Sequence, residues 1–116
     1  MSDKALHYYE RFDRDLRAEL KRLVTDDVIA EHRANPAGAR GPQSEALRRL
    51  LNYFRRAPQG GKLAVVAVDP WREYRIGVLS GVRGEALKIL DEPVFATEEE
   101  ALHGVFLARV RDLVAS

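Results

Sequence analysis

The chain contains no cysteine, which removes disulfides, thiolate nucleophiles and cysteine-rich zinc sites and leaves it suited to a reducing compartment. Long hydrophobic runs are missing too. The longest unbroken apolar stretch, Leu63 to Val68, is six residues, where a membrane-spanning helix needs about 20 and a signal-peptide core at least about 7. The expected localisation is cytoplasmic, with no membrane partner. Nor does charge of one sign dominate: 19 basic residues face 18 acidic ones for a formal net charge of +1, and a general nucleic-acid binder leans further to the positive side. Catalytic signatures are also absent. There is no Walker loop, dinucleotide fingerprint, His-Glu-x-x-His or Gly-x-Ser-x-Gly elbow, and Ser2, Ser44 and Ser80 fall at a terminus, a cap and a turn.

What is present fits one folded unit. A chain of 116 residues, 46% hydrophobic and 32% charged, can hide roughly two thirds of the surface its unfolded form exposes, enough for one core and not for two. The expected organisation is a single α+β domain over residues 1–116, with amphipathic helices packed on a small three-stranded antiparallel β-meander. Its parts are a helical N-terminal arm (1–34), a helix (43–57), the meander (62–90) and a C-terminal helix (97–115).

Periodicity and punctuation set these boundaries. Tyr9, Phe12, Leu16, Leu20 and Leu23 recur at helical steps on one face. Thr25, Asp26 and Asp27 interrupt them with capping side chains, which predicts a bend and a second short helix to Ala34. Asn35-Pro36, Gly38, Gly41 and Pro42 mark an irregular loop. Ser44 can cap the next helix, whose buried stripe is Leu47, Leu50, Leu51 and Phe54, with Pro58 and Gly60 ending it. Lys62 to Val68 reads as a strand apolar on both faces, and so as the centre of the sheet. Trp71 to Leu79 alternates like a half-buried strand, and Ala86 to Leu90 supplies a short third one. Thr97 with Glu98, Glu99 and Glu100 is a capping-box start, and the helix it opens buries Leu102, Val105 or Phe106, Val110 and Leu113.

Chemistry-bearing residues are few. Glu100 and His103 share a helix face at the Glu-x-x-His spacing of carboxylate-bridged di-iron bundles, but no second copy exists. The plainer reading is a capping Glu100 and a His103 at the edge of the core or an interface. His7 and His32 stand alone and read as surface side chains. Between Arg33 and Arg56 six arginines face only Glu45. With Tyr53, the cluster Arg48, Arg49, Arg55 and Arg56 admits a basic groove with one stacking ring, as single-strand binders use, or a protein interface. Trp71, the only Trp, is either core packing at the sheet end or a binding anchor beside Arg75. Spacing leaves both open.

Four ordered blocks carry a resemblance to a known family. They are Asn35-Pro36-x-Gly38, then Asn52-Tyr53-Phe54-Arg55-x-x-Pro58-x-x-Gly61-Lys62, then Trp71-x-x-Tyr74-Arg75-Ile76, then Phe95-x-Thr97-Glu98-Glu99-Glu100-Ala101-x-His103-x-Val105-Phe106-Leu107-x-Arg109. Together they resemble the small (alpha) subunit of N,N-dimethylformamidase over residues 31 to 110, departing from it at Ala37 and in the loop between the second and third strands. The resemblance implies an amidohydrolase of large and small subunits, with two copies of each. The large chain would hold a mononuclear iron through Tyr and Glu side chains, and hydrolyse N-substituted formamides to formate and an amine. It further implies that this chain holds no catalytic residue, metal or cofactor and offers surface instead. Tyr53, Arg55, Trp71, Tyr74 and Arg75 are the expected subunit-interface residues. The alternative is a small basic binding module for nucleic acid or a regulatory protein, with nucleic acid the less expected partner. A free-standing enzyme built on Glu100 and His103 comes third.

Overall fold

The computed structural model describes residues 3–56 and 61–116, with side chains from Arg11 onward. The expected helix end at residue 57, its stop signals Pro58 and Gly60, and the Tyr9 and His7 side chains lie outside the described residues. The element order is α1 (Asp3–Lys21), α2 (Asp26–Ala34), α3 (Glu45–Arg55), β1 (Leu63–Asp69), β2 (Glu73–Val78), β3 (Lys88–Ile89) and α4 (Glu98–Ala115). This is the expected α+β class. No helix among the described residues is long and apolar enough to cross a membrane.

Local chemistry starts each later helix where the sequence predicts. The Thr25 hydroxyl accepts from Val28 N–H at 3.3 Å, Ser44 from Leu47 N–H at 3.2 Å and Thr97 from Glu100 N–H at 3.1 Å. Each satisfies a backbone donor that the first helical turn leaves free. The Glu100 carboxylate reaches back to Ala96 N–H at 3.3 Å, which completes the cap. A carboxylate from another helix braces α3, because Glu31 of α2 accepts from both the backbone N–H and the hydroxyl of Ser44, at 2.7 and 2.6 Å.

The helices enclose one apolar cluster in which Leu20, Leu47, Leu50, Phe54, Phe106, Val110 and Leu113 are buried. Burying such a side chain fully contributes about 1.5–3 kcal/mol. Among the described side chains, α1 joins this cluster through Leu16 and Leu20, with Leu23 following in the turn after it. Leu20 is buried and Leu16 and Leu23 are half-buried, whereas Phe12 is 60% exposed. The periodic stripe therefore runs further along α1 than the core does. α4 is buried on two sides, so Val105 and Phe106 are both inside while Leu102 is half-buried. Its Gly104 lets the sheet approach: a Cβ there would lie 2.4 Å from the Phe95 ring.

The three strands are antiparallel in the order β1-β2-β3. This corrects one expectation, for β2 is central and β1 is an edge. β1 is apolar on both faces for another reason. Leu63, Val65 and Ala67 share the sheet face of the buried Tyr74 and Ile76, while Val66 and Leu87 close over Gly77 on the opposite face. β3 is shorter than expected, and a bridge between Tyr74 and Phe95 extends the pairing past it.

Candidate partner interface

The residues Asp69-Pro70-Trp71-Arg72 join β1 to β2 in a tight turn closed by Arg72 N–H donating to Asp69 C=O at 2.9 Å. Proline at the second position and φ of +73° at Trp71, the third, are the marks of a type II turn. That third position normally takes Gly or Asn, because an L side chain there costs about 1–2 kcal/mol. Tryptophan occupies it with 88% of its surface exposed, so burial returns little of that cost. Tyr74 holds the turn from beneath. Its ring is buried, and its hydroxyl accepts from Trp71 N–H at 3.1 Å. A register shift between Ala67 and Asp69 leaves Val68 beside this turn, 47% exposed.

Arg75 lies on the sheet face away from α4, on the same side as Gly77, Ile89 and the half-buried Val66. Its Nε donates to Glu73 at 2.9 Å, and Asp91 stands 3.8 Å from its Nη1. The guanidinium is thus held between two carboxylates rather than loose in solvent. Trp71 and Arg75 both belong to this end of the sheet, one in the turn and the other in the strand it leads into. Tyr74 supports them from the core and presents no surface of its own.

Tyr53 and Arg55 lie elsewhere. Tyr53 lines a cleft of about 260 Å³ with Lys62 and Leu63, at the start of β1, a strand's length of about 20 Å from the Trp71 turn. Burial pushes its hydroxyl pKa up, and the nearby Asp13 adds to the shift. Arg55 is exposed at the end of α3. The five expected residues therefore do not share one surface, and Tyr53 and Arg55 themselves line different clefts. The basic cluster is partly neutralised within the chain as well, since Arg49 pairs with Glu19 at 2.7 Å and Arg40 with both Glu99 oxygens at 2.7 and 2.8 Å.

One pair was not legible beforehand. His32, expected on the surface, is buried, and its Nδ1 lies 2.8 Å from Nδ1 of the equally buried His103. One ring must donate and the other accept, so the two carry different tautomers. The His32 ring stacks on Phe106 with centroids 4.0 Å apart. Burial lowers the pKa of His32 to about 4, helped by His103 and opposed by Glu31; burial, then Arg33, lowers that of His103. Both are neutral at pH 7. The one available signal was the four-residue spacing of Val28 and His32, which places them on the same face of α2. Glu100, meanwhile, is spent on its cap, and among the described residues no three His, Cys, Asp or Glu side chains gather where a metal could sit.

Comparison with known proteins agrees along nearly the whole chain. Residues 7–116 match the family described as N,N-dimethylformamidase alpha subunit. An N,N-dimethylformamidase alpha subunit from Paracoccus aminophilus is 39% identical over 113 residues, covering 96% of this chain and 79% of the relative. One from an Alcaligenes species is 37% identical over 115 residues, covering 97% and 86%.

Proposed function

The chain belongs to the N,N-dimethylformamidase alpha-subunit family, and from that premise we propose that it is the non-catalytic small subunit of an iron-dependent amide hydrolase. The partner is a larger chain that carries the mononuclear iron and cleaves the C–N bond of an N-substituted formamide with water, releasing formate and an amine. Two copies of each chain, in the cytoplasm, complete the assembly. The donor set of this chain fits a supporting role better than a metal site: the two buried imidazoles spend their facing nitrogens on each other, and Glu100 caps a helix.

The observation that carries the reading is Trp71. A large ring in a strained turn, exposed and pinned from below by Tyr74, contributes little to the isolated fold. It is the kind of aromatic anchor that dominates protein interfaces, where a buried Trp is worth about 2–4 kcal/mol. Arg75, Val68 and Ile89 extend the same surface, which favours a protein partner over nucleic acid. Co-expression with the candidate large chain tests this. The two should co-purify, and Trp71→Ala should weaken their association at least about thirtyfold. A large chain fully active alone, with this chain remaining separate, refutes the proposal.

A further inference from the structure

β1 lies at the sheet edge with hydrogen-bonding capacity to spare. Leu79 N–H donates to Lys62 C=O at 2.8 Å, and two residues on in each direction Ala64 faces Gly77 and Val66 faces Arg75 as bonded pairs. Leu63, Val65 and Ala67 then face Val78, Ile76 and Tyr74 as non-bonded pairs, so their N–H and C=O groups point away from β2. The far side of β2 shows the same alternation: Tyr74 exchanges both backbone bonds with Phe95 at 2.8 Å, and Ile76 C=O accepts from Leu90 N–H at 2.9 Å. On the β1 edge, Leu63 C=O is taken by the Arg109 guanidinium at 2.9 Å. Val65 and Ala67 have no backbone partner on that side among the described residues.

This edge opens on a cleft of about 270 Å³ between the sheet, α3 and α4, walled by Leu51, Leu102 and Val105 and rimmed by Arg55 and Arg109, with no carboxylate in its lining. Arg55 has no ion-pair partner among the described residues. We infer that the β1 edge receives an extended segment of the large partner chain by strand addition, with one apolar side chain seated in the cleft and a carboxylate against Arg55. The inference rests on the small-subunit reading above. An extended backbone satisfies the outward groups of Val65 and Ala67, and alternation along the added strand turns every second side chain toward the cleft. Charge selects the acid, since the rim is basic and its carboxylates are missing. A second copy of this chain fits less well, because its own β1 edge offers Lys62 and an apolar run with no carboxylate before Asp69.

Hydrogen exchange on the full chain, alone and assembled, tests this together with Ala67→Pro. Proline at 67 removes one outward N–H and places its ring where the added strand would run, while the β1–β2 bonds remain. In the lone chain the Val65 and Ala67 amides should exchange faster than those of Ala64 and Val66, and assembly should slow them at least about tenfold. Ala67→Pro should weaken assembly by at least about tenfold at unchanged melting temperature. Unchanged exchange at Val65 and Ala67 on assembly overturns the inference, as does their protection in a concentration-dependent homodimer. A complex that depends on Trp71 yet leaves these amides exchanging freely retains the small-subunit reading and rejects strand addition; no complex at all rejects both. Should Ala67→Pro unfold the chain, exchange in the unsubstituted protein decides.

Discussion

The helical half and the sheet half of this molecule treat their apolar side chains differently. Around α1, α3 and α4, Leu20, Leu47 and Leu50 are sealed almost completely, and the helix starts are capped by their own side chains or by neighbours. At the far end of the sheet Val68, Trp71, Ile89 and Val94 remain exposed, one of them in a backbone conformation its residue type disfavours. The first region closes most of its apolar surface on itself, with Phe12 and Val114 left out. The second keeps strain and bare apolar surface, which is what a face awaiting another protein looks like.

Four perturbations probe that contrast. The largest effect belongs to the helical half: Leu50→Ala should cost about 3–5 kcal/mol of stability by leaving a cavity, measured by urea unfolding, and should abolish assembly only by unfolding the chain. Acid attacks the same half through the histidine pair. Both imidazoles titrate lower folded than unfolded, so the unfolded chain binds more protons below the ordinary value of 6.5 and stability falls as pH drops from there toward about 4. For His32 alone that loss is on the order of 3 kcal/mol. Unfolding curves at pH 7 and pH 5 should show about 2 kcal/mol of it, and His32→Phe should flatten the dependence. In the sheet half, Trp71→Gly should reverse the usual sign, stabilising the lone chain by about 1 kcal/mol through relief of the positive φ while weakening partner binding; equal losses in both would blur the contrast. The smallest effect is Thr97→Ala, about 1 kcal/mol from a lost helix cap, visible as a lowered melting temperature.

Legibility followed the range of the interactions. Thr25, Ser44 and Thr97 were readable because a cap and its donor lie three residues apart, and the Asp69-Pro70 turn because proline presets its own φ. Phe12 belongs to the apolar stripe yet stays exposed, because periodicity reports a helix face and not where the neighbouring helices stop. The centre of the sheet was misassigned because an apolar run cannot distinguish a strand flanked by strands from an edge strand whose two faces are packed. His32 was missed because its partner lies 71 residues away. Of the five residues expected at the interface, Trp71 and Arg75 lie at the β1–β2 turn end of the sheet, Tyr53 and Arg55 beside two separate clefts, and Tyr74 underneath the turn.

Composition, spacing and capping residues by themselves determined the α+β class, the starts of the later helices and the four blocks that carry the family likeness, since each rests on residues close together in the chain. Packing decided the strand order, the neutral histidine pair, the open backbone of β1 and the exposure of Trp71. Those depend on which elements meet, and a contact between distant residues is settled only when the whole chain has chosen what to bury.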